Sequence, residues 1–131
     1  LEDEEIERIK AKKLEKIMKE LVKREDSKAL HVTDSSFDVL LRKYNLLVID
    51  CWAPWCGPCR MLSPIIDELA SRYVGKIVFG KLNVDENPEI PMRFGVNSIP
   101  TLLIFKEGKL VDRIVGAVPK VQLESILAKH V

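Results

Sequence analysis

Leu46-Leu47-Val48-Ile49-Asp50-Cys51-Trp52-Ala53-Pro54-Trp55-Cys56-Gly57-Pro58-Cys59 is the stretch whose reading decides the fold. Its first four residues are an unbroken apolar run, the pattern of a central strand buried on both faces. A helix to about Tyr73 follows the second cysteine, interrupted by Pro64, whose ring and missing donor predict a kink. The Cys-x-x-Cys therefore stands where a buried strand hands over to a helix. Cys56 would sit at that helix's N-terminus, where unpaired N–H groups and the dipole favour a thiolate. Such placements bring a thiol from about 8.5 into the range of roughly 3.5 to 7.5. Cys59 lies one turn along, within disulfide reach and more buried, so Cys56 attacks and Cys59 resolves. Asp50 is the other unusual residue. A carboxylate finishing an apolar strand is costly to bury ionised, and desolvation should raise its pKa.

Outward from this stretch, strand and helix signals alternate. Ala29 to Val32 reads as a short strand, followed by a helix capped by Thr33 or Asp34 and carrying Phe37, Leu40 and Leu41. Ile77 to Val84 is a further strand, and Asn87-Pro88 with Pro91 starts a short helical piece that Gly95 ends. Thr101 to Phe105 and Leu110 to Val115 flank Glu107-Gly108, a hairpin signal. Pro119 opens a last helix with Leu123, Ile126 and Leu127 facing the core. This βαβαβα-ββα order implies a mixed sheet covered by helices on both sides. Glu2 to about Lys28 is rich in Glu and Lys, with Ile6, Ile9, Leu14, Ile17, Met18 and Leu21 at near-helical spacing. One amphipathic helix is predicted there, supported by pairs such as Glu15 with Lys19 and Glu20 with Arg24.

Composition narrows the function. The chain has 131 residues, 47% of them hydrophobic, enough for one domain with a normal core and at most an appendage. Its 21 Lys and Arg nearly cancel 20 Asp and Glu, so no net field collects nucleic acid or an anionic membrane. No apolar run approaches the roughly 18 residues of a membrane span, and the chain reads as soluble. It opens on Leu1 rather than Met, which leaves a removed upstream segment, an export signal included, open. Three cysteines do not form a disulfide framework. Zinc would need ligands from His31, His130 or Cys51, none in a paired spacing. Half a zinc site and two ordinary core cysteines are the alternatives, and the strand-to-helix context favours redox chemistry over both.

Asp50 to Arg60, Lys81-Leu82-Asn83-Val84-Asp85, Ser98-Ile99-Pro100-Thr101 and Val115-Gly116-Ala117 follow one another in the order and at the spacings of the thioredoxin family. The chain resembles that family from about Ala29 to its C-terminus. The resemblance implies an α/β thioredoxin fold, a central mixed β-sheet flanked by helices on both faces, here with an added N-terminal amphipathic helix. Residues 1–28 would be the extension and 29–131 the thioredoxin domain. It implies that Asp50 helps deprotonate Cys59, that Lys81 tunes this acid, and that Ile99-Pro100 is a cis-proline loop lying against the sulfurs. Trp55, Gly57, Pro58, Gly116 and Ala117 would then form a flat apolar rim, with the Ile99 backbone offering strand-like hydrogen bonds to an extended substrate. Pro58 between the cysteines is associated with reducing members, His in that place with oxidases and isomerases.

The implied activity is reduction of disulfides in substrate proteins through a reversible Cys56–Cys59 pair, with recycling by a thioredoxin reductase, in the cytoplasm. That reductase holds any flavin or nicotinamide, so no cofactor or metal need bind here. The other readings are a disulfide oxidase or isomerase with the same site, and a non-enzymatic interaction module using the N-terminal helix. The chain departs from the family at Cys51, where a bulky aromatic is usual. Strand alternation points Cys51 away from Asp50, as a small buried thiol. Arg60 replaces a lysine often found there and keeps the charge. The N-terminal helix is the larger departure, open to packing on its own domain, pairing with a second copy, or binding a partner.

Overall fold

The computed structural model describes the backbone of residues 2–26 and 28–131, and the side chains of residues 2–18 and 28–131. Helix α1 (Glu2–Asp26) comes first, with Glu2, Asp3, Glu4 and Glu5 in its first turn, where carboxylates meet the positive end of the dipole. Its apolar residues Ile6, Ile9, Leu14, Ile17 and Met18 are all exposed, from 49% to 59%, and join neither core layer. Of the three uses left open for this helix, packing of its stripe on the domain is not what residues 2–18 show. The side chains of Lys19, Glu20, Leu21 and Arg24, and with them the expected i, i+4 pairs, lie outside the described residues.

The remaining elements are β1 (Leu30–Val32), α2 (Phe37–Lys43), β2 (Leu46–Trp52), α3 (Gly57–Arg72), β3 (Val78–Asn83), α4 (Glu89–Arg93), β4 (Thr101–Lys106), β5 (Lys109–Val115) and α5 (Lys120–Ala128). Five strands form one sheet in the order β1-β3-β2-β4-β5. β3 runs parallel to both β1 and β2. β4 is antiparallel to β2, and β5 to β4. The alternating order of strands and helices thus produces the expected mixed sheet. Glu107 and Gly108 turn the β4–β5 hairpin, both at positive φ of 51° and 79°, the geometry of a two-residue type I′ loop.

β2 is longer than its apolar run suggests. It continues through Asp50 and Cys51 to Trp52 and is buried over its first six residues, so Asp50 lies within the strand rather than finishing it. Side-chain alternation divides the strand between two core layers. Leu46 and Val48 pack with Leu62, Ile66 and Leu69 of α3, Phe79 of β3, and Leu123 and Leu127 of α5. Leu47, Ile49 and Cys51 pack on the other face with Phe37 of α2, Ile90 of α4, and Leu103 and Phe105 of β4. Phe37, Phe94 and Phe105 form a tilted aromatic trio with centroids 5.1 to 5.6 Å apart.

One cap is assigned differently from the expectation. The N-cap position of α2 is Ser36, which makes no side-chain capping bond to the helix. The turn leading into it is nevertheless closed by Thr33 as expected: Thr33 Oγ1 accepts the Ser36 N–H at 3.1 Å and Ser36 Oγ accepts the Thr33 N–H at 2.9 Å. Asp34 instead accepts the N–H groups of Glu89 at 3.0 Å and Ile90 at 2.9 Å. It serves the first turn of α4, 55 positions downstream for Glu89. Asn87 returns the link, its Oδ1 accepting the Asp34 N–H at 2.9 Å.

Gly80 shows how tightly the sheet meets the α2 and α4 layer. A Cβ there would lie 2.5 Å from Val32 Cγ2 and 3.0 Å from Ile49 Cδ1, an overlap that a close-packed interior relieves only by shifting side chains. Gly80→Ala should therefore destabilise the fold by about 1–3 kcal/mol. Urea unfolding followed by far-UV circular dichroism would read this as a lower midpoint, and an unchanged midpoint would refute it.

Candidate active site

Cys56 is the N-cap of α3. Its backbone is extended (φ −87°, ψ 111°), and its Sγ accepts the N–H of Cys59 at 3.3 Å. A sulfur in that position meets both an unpaired backbone donor and the positive end of the dipole, which favours a thiolate once the sulfur is reduced. Pro58 occupies the first turn of the helix, where its missing N–H leaves no bond unmade. The two sulfurs are joined in a disulfide, with Cα atoms 5.3 Å apart, inside the usual span. Cys56 keeps 5% of its surface accessible and Cys59 1%, consistent with an attacking and a sheltered sulfur. Arg60 closes the loop from behind, its Nε and Nη2 donating to the Pro54 carbonyl at 3.0 and 2.7 Å.

Asp50 lies in the sheet on the α3 side, since alternation groups it with Leu46 and Val48. Only 1% of its surface is accessible, and among the described residues its Oδ1 accepts no hydrogen bond. Burial is the main cause of a pKa pushed up to about 7. The Lys81 cation pulls it down and the Asp67 carboxylate pushes it further up. Lys81 is opposite Asp50 in the β2–β3 register, yet its Nζ bonds elsewhere. It donates to Ser63 Oγ at 2.7 Å and pairs with Asp67 Oδ1 at 2.8 Å. Ser63 and Asp67 stand four and eight residues after Cys59 on α3, which sets all three along one side of that helix.

On the opposite side of the disulfide, the Ile99-Pro100 peptide bond is cis, as the motif led us to expect. The Cys56 sulfur is 3.8 Å from the Ile99 carbonyl oxygen, and Gly116 donates its N–H to the Pro100 carbonyl at 2.8 Å. Gly116 does so at φ 91°, a conformation that glycine enters without strain. A groove of about 370 Å³ opens here, lined by Trp55, Val84, Pro91, Val96, Asn97, Ser98 and Ile99. Trp55 is 68% exposed, and its indole N–H is held by both Asp85 oxygens at 3.0 and 3.2 Å.

The structure thus gathers Cys56, Cys59, Ile99, Pro100 and Gly116 at one end of the sheet, with Trp55 on the groove. Gly57, Pro58 and Ala117 are exposed, the first two at the start of α3 and the last beside Gly116. Asp50 and Lys81 are partners by register rather than by direct bond. Ser63 and Asp67 escaped the sequence reading, and Asp85 entered it only as the end of a motif, without its bond to Trp55. The four-residue spacing from Cys59 was the available signal for the first two.

A reactive pair heading a helix, a cis-proline loop against its sulfur and an acid buried in the adjoining strand together define a thiol-disulfide oxidoreductase. The chain belongs to the thioredoxin family, whose model matches residues 28–129. It is 55% identical over 106 residues to thioredoxin 1 of Nostoc sp., covering 79% of this chain and 98% of that protein. To the thioredoxin of Haemophilus influenzae it is 45% identical over 106 residues, covering 80% and 99%. The chloroplastic M-type thioredoxin of Pisum sativum is 50% identical over 101 residues, covering 76% of this chain and 59% of the pea protein. A solved mutant thioredoxin from Halobacterium salinarum superposes with a TM-score of 0.74 at 30% identity, covering 79% of this chain and 91% of that one. The chain is accordingly a protein-disulfide reductase, acting by thiol-disulfide exchange. Its relatives include bacterial and chloroplast proteins and do not single out one compartment. No helix among the described residues is long and apolar enough to cross a membrane.

Cys51 is fully buried and free. Burial, reinforced by the Asp50 charge, pushes its thiol up to about 12, and Arg113 offsets this only in part. After reduction of the folded protein, iodoacetamide at pH 8 should modify Cys56 rapidly and leave Cys51 untouched until denaturant is added, since the thiolate is the reacting species. Peptide mass mapping checks this, and native-state labelling of Cys51 at a rate comparable with Cys56 would contradict it.

Proposed function

We propose that Cys56 and Cys59 divide the reduction of a protein disulfide between them, with Asp50 as proton acceptor. The Cys56 thiolate attacks one sulfur of the substrate disulfide and forms a mixed disulfide, and the other substrate sulfur leaves as a thiolate that takes up a proton. Asp50 removes the Cys59 proton. The Cys59 thiolate then attacks Cys56 Sγ, closing the Cys56–Cys59 disulfide and releasing the second substrate thiolate. The observation that carries this reading is a buried carboxyl held near neutrality on the same face of β2 as the helix bearing Cys59. An acid with that pKa accepts a proton at working pH and releases it readily. Lys81 tunes Asp50 from the distance at which Ser63 and Asp67 hold it.

The groove between Trp55 and Ile99 is proposed to take the extended chain flanking the substrate disulfide. Gly57, Pro58, Gly116 and Ala117 complete the rim, and the Ile99 and Pro100 backbone lies alongside. Regeneration by a thioredoxin reductase and residence in a reducing compartment, the cytoplasm, fit a pair that must return to the dithiol. Pro58 in place of His supports the reducing direction over oxidation or isomerisation.

Cys59→Ser should accumulate substrate proteins as mixed disulfides on Cys56, whereas Cys56→Ser should trap none. Non-reducing gel electrophoresis decides, and the reverse pattern would exchange the two roles. Asp50 gives a second test with opposite signs in two measurements. Because its folded pKa lies above the unfolded value, its contribution to stability is full in acid and is lost as pH rises from about 4 through about 7. Asp50→Asn should therefore raise stability at pH 8, by at most on the order of 4 kcal/mol, and slow the resolving step near neutral pH. Unaltered resolution rates would remove Asp50 from the mechanism.

We propose further that α1, with its exposed Ile6, Ile9, Leu14, Ile17 and Met18, is a contact for another protein chain, a second copy of itself being the first to test. Sedimentation of the full chain and of one lacking residues 1–26 should show association only in the former. Two monomers would end the pairing idea.

A further inference from the structure

Between α4 and β4 the chain passes through Phe94, Gly95, Val96, Asn97 and Ser98 before reaching Ile99, and residues 96–99 form one wall of the groove. The end of this wall nearest the sulfurs is fixed by the sheet. Thr101 Oγ1 donates to the Ser98 carbonyl at 2.6 Å, and Gly116 N–H to that of Pro100 at 2.8 Å. The other end is held by Arg113. This residue sits on β5 opposite Leu103, and its guanidinium spans to the loop. Nη1 donates to the Gly95 carbonyl at 3.1 Å and Nη2 to the Phe94 carbonyl.

Those two carbonyls follow the short helix α4, at its electronegative end, where a cation is favoured. A planar fork with two outward N–H groups serves adjacent carbonyls in a way that a single ammonium does not. Val96 and Asn97 are thereby suspended between two anchored ends, with the Val96 N–H bonded back to Pro91 at 2.8 Å.

We infer that Arg113 is a positioning residue for substrate recognition: by tying Phe94 and Gly95 to the sheet edge, it sets the width of the groove beside the reactive pair. The inference rests on the groove being the substrate site, as proposed above. Arg113 acts through the loop, so its influence falls on substrates long enough to fill the groove and not on the exchange of sulfurs itself.

The test uses the full chain with Arg113→Met, which keeps the stem and removes the fork, and Arg113→Lys, which keeps the charge on a single donor. Two disulfides are reduced in parallel: insulin, which presents an extended chain, and 5,5′-dithiobis(2-nitrobenzoate), which does not. For insulin, KM should rise about threefold to tenfold in Arg113→Met with kcat within about twofold, and Arg113→Lys should recover part of the difference. For the small disulfide both constants should stay at the parent value. Amide exchange at Val96, Asn97 and Ser98 should accelerate in Arg113→Met, a readout independent of turnover. Unchanged insulin KM in both variants, or an equal rise for both disulfides, would overturn the inference, as would unchanged amide exchange. Should the parent chain reduce neither disulfide, the reductant reading fails, while the exchange rates still decide whether Arg113 holds the loop.

Discussion

The structure depends on the register of β2. This strand is bonded on both sides, parallel to β3 from Leu47 opposite Val78 to Trp52 opposite Asn83, and antiparallel to β4 from Leu46 opposite Lys106 to Cys51 opposite Thr101. Its side chains alternate between two closed layers, so a slip of one residue would exchange every one of them. Asp50 would enter the layer of Phe37, Ile90 and Leu103, and Cys51 would turn toward α3. One alignment of hydrogen bonds therefore decides the core packing and the place of Asp50, among the described residues the only buried carboxyl.

That carboxyl is an expense to the fold, and its surroundings limit the expense without removing it. A direct ion pair with Lys81 would stabilise the charged form and draw the pKa back toward the ordinary carboxylate range. The ammonium is instead occupied by Ser63 and Asp67, on the same helix that carries Cys59. Attraction from Lys81 and repulsion from Asp67 partly cancel, and desolvation is left as the dominant influence. The site keeps an acid that gains and loses its proton near neutrality, where thiols must be activated.

How much of this could be read along the chain follows from the range of each interaction. Strands, helices, hairpin and cysteine pair rest on local periodicity and turn chemistry, and Leu46 to Ile49 or Glu107-Gly108 announce themselves within a few residues. Asp34 shows the boundary of such reading. An acid just before a helix reads locally as its cap, and only the approach of α4 to the β1–α2 turn reveals that it serves Glu89 and Ile90. Trp55 with Asp85 and Arg113 with Phe94 are likewise pairs across the fold that no spacing encodes. Lys81 was recognisable as a neighbour of Asp50, but its bonds to α3 depend on how that helix lies over β3. For α1, the stripe was legible, while its exposure depends on what the rest of the chain leaves uncovered.

The sealed position of Cys51 has a consequence for the bookkeeping of charge transfer. Three cysteine thiols in one chain could in principle form three alternative disulfides, isomers at one oxidation level. With one of them locked in the α2 and α4 layer as an uncharged thiol, only a single pairing is accessible to the folded chain by itself. The molecule alternates between two states separated by one pair of electrons, and an odd number of cysteines delivers an even count of electrons without scrambled forms.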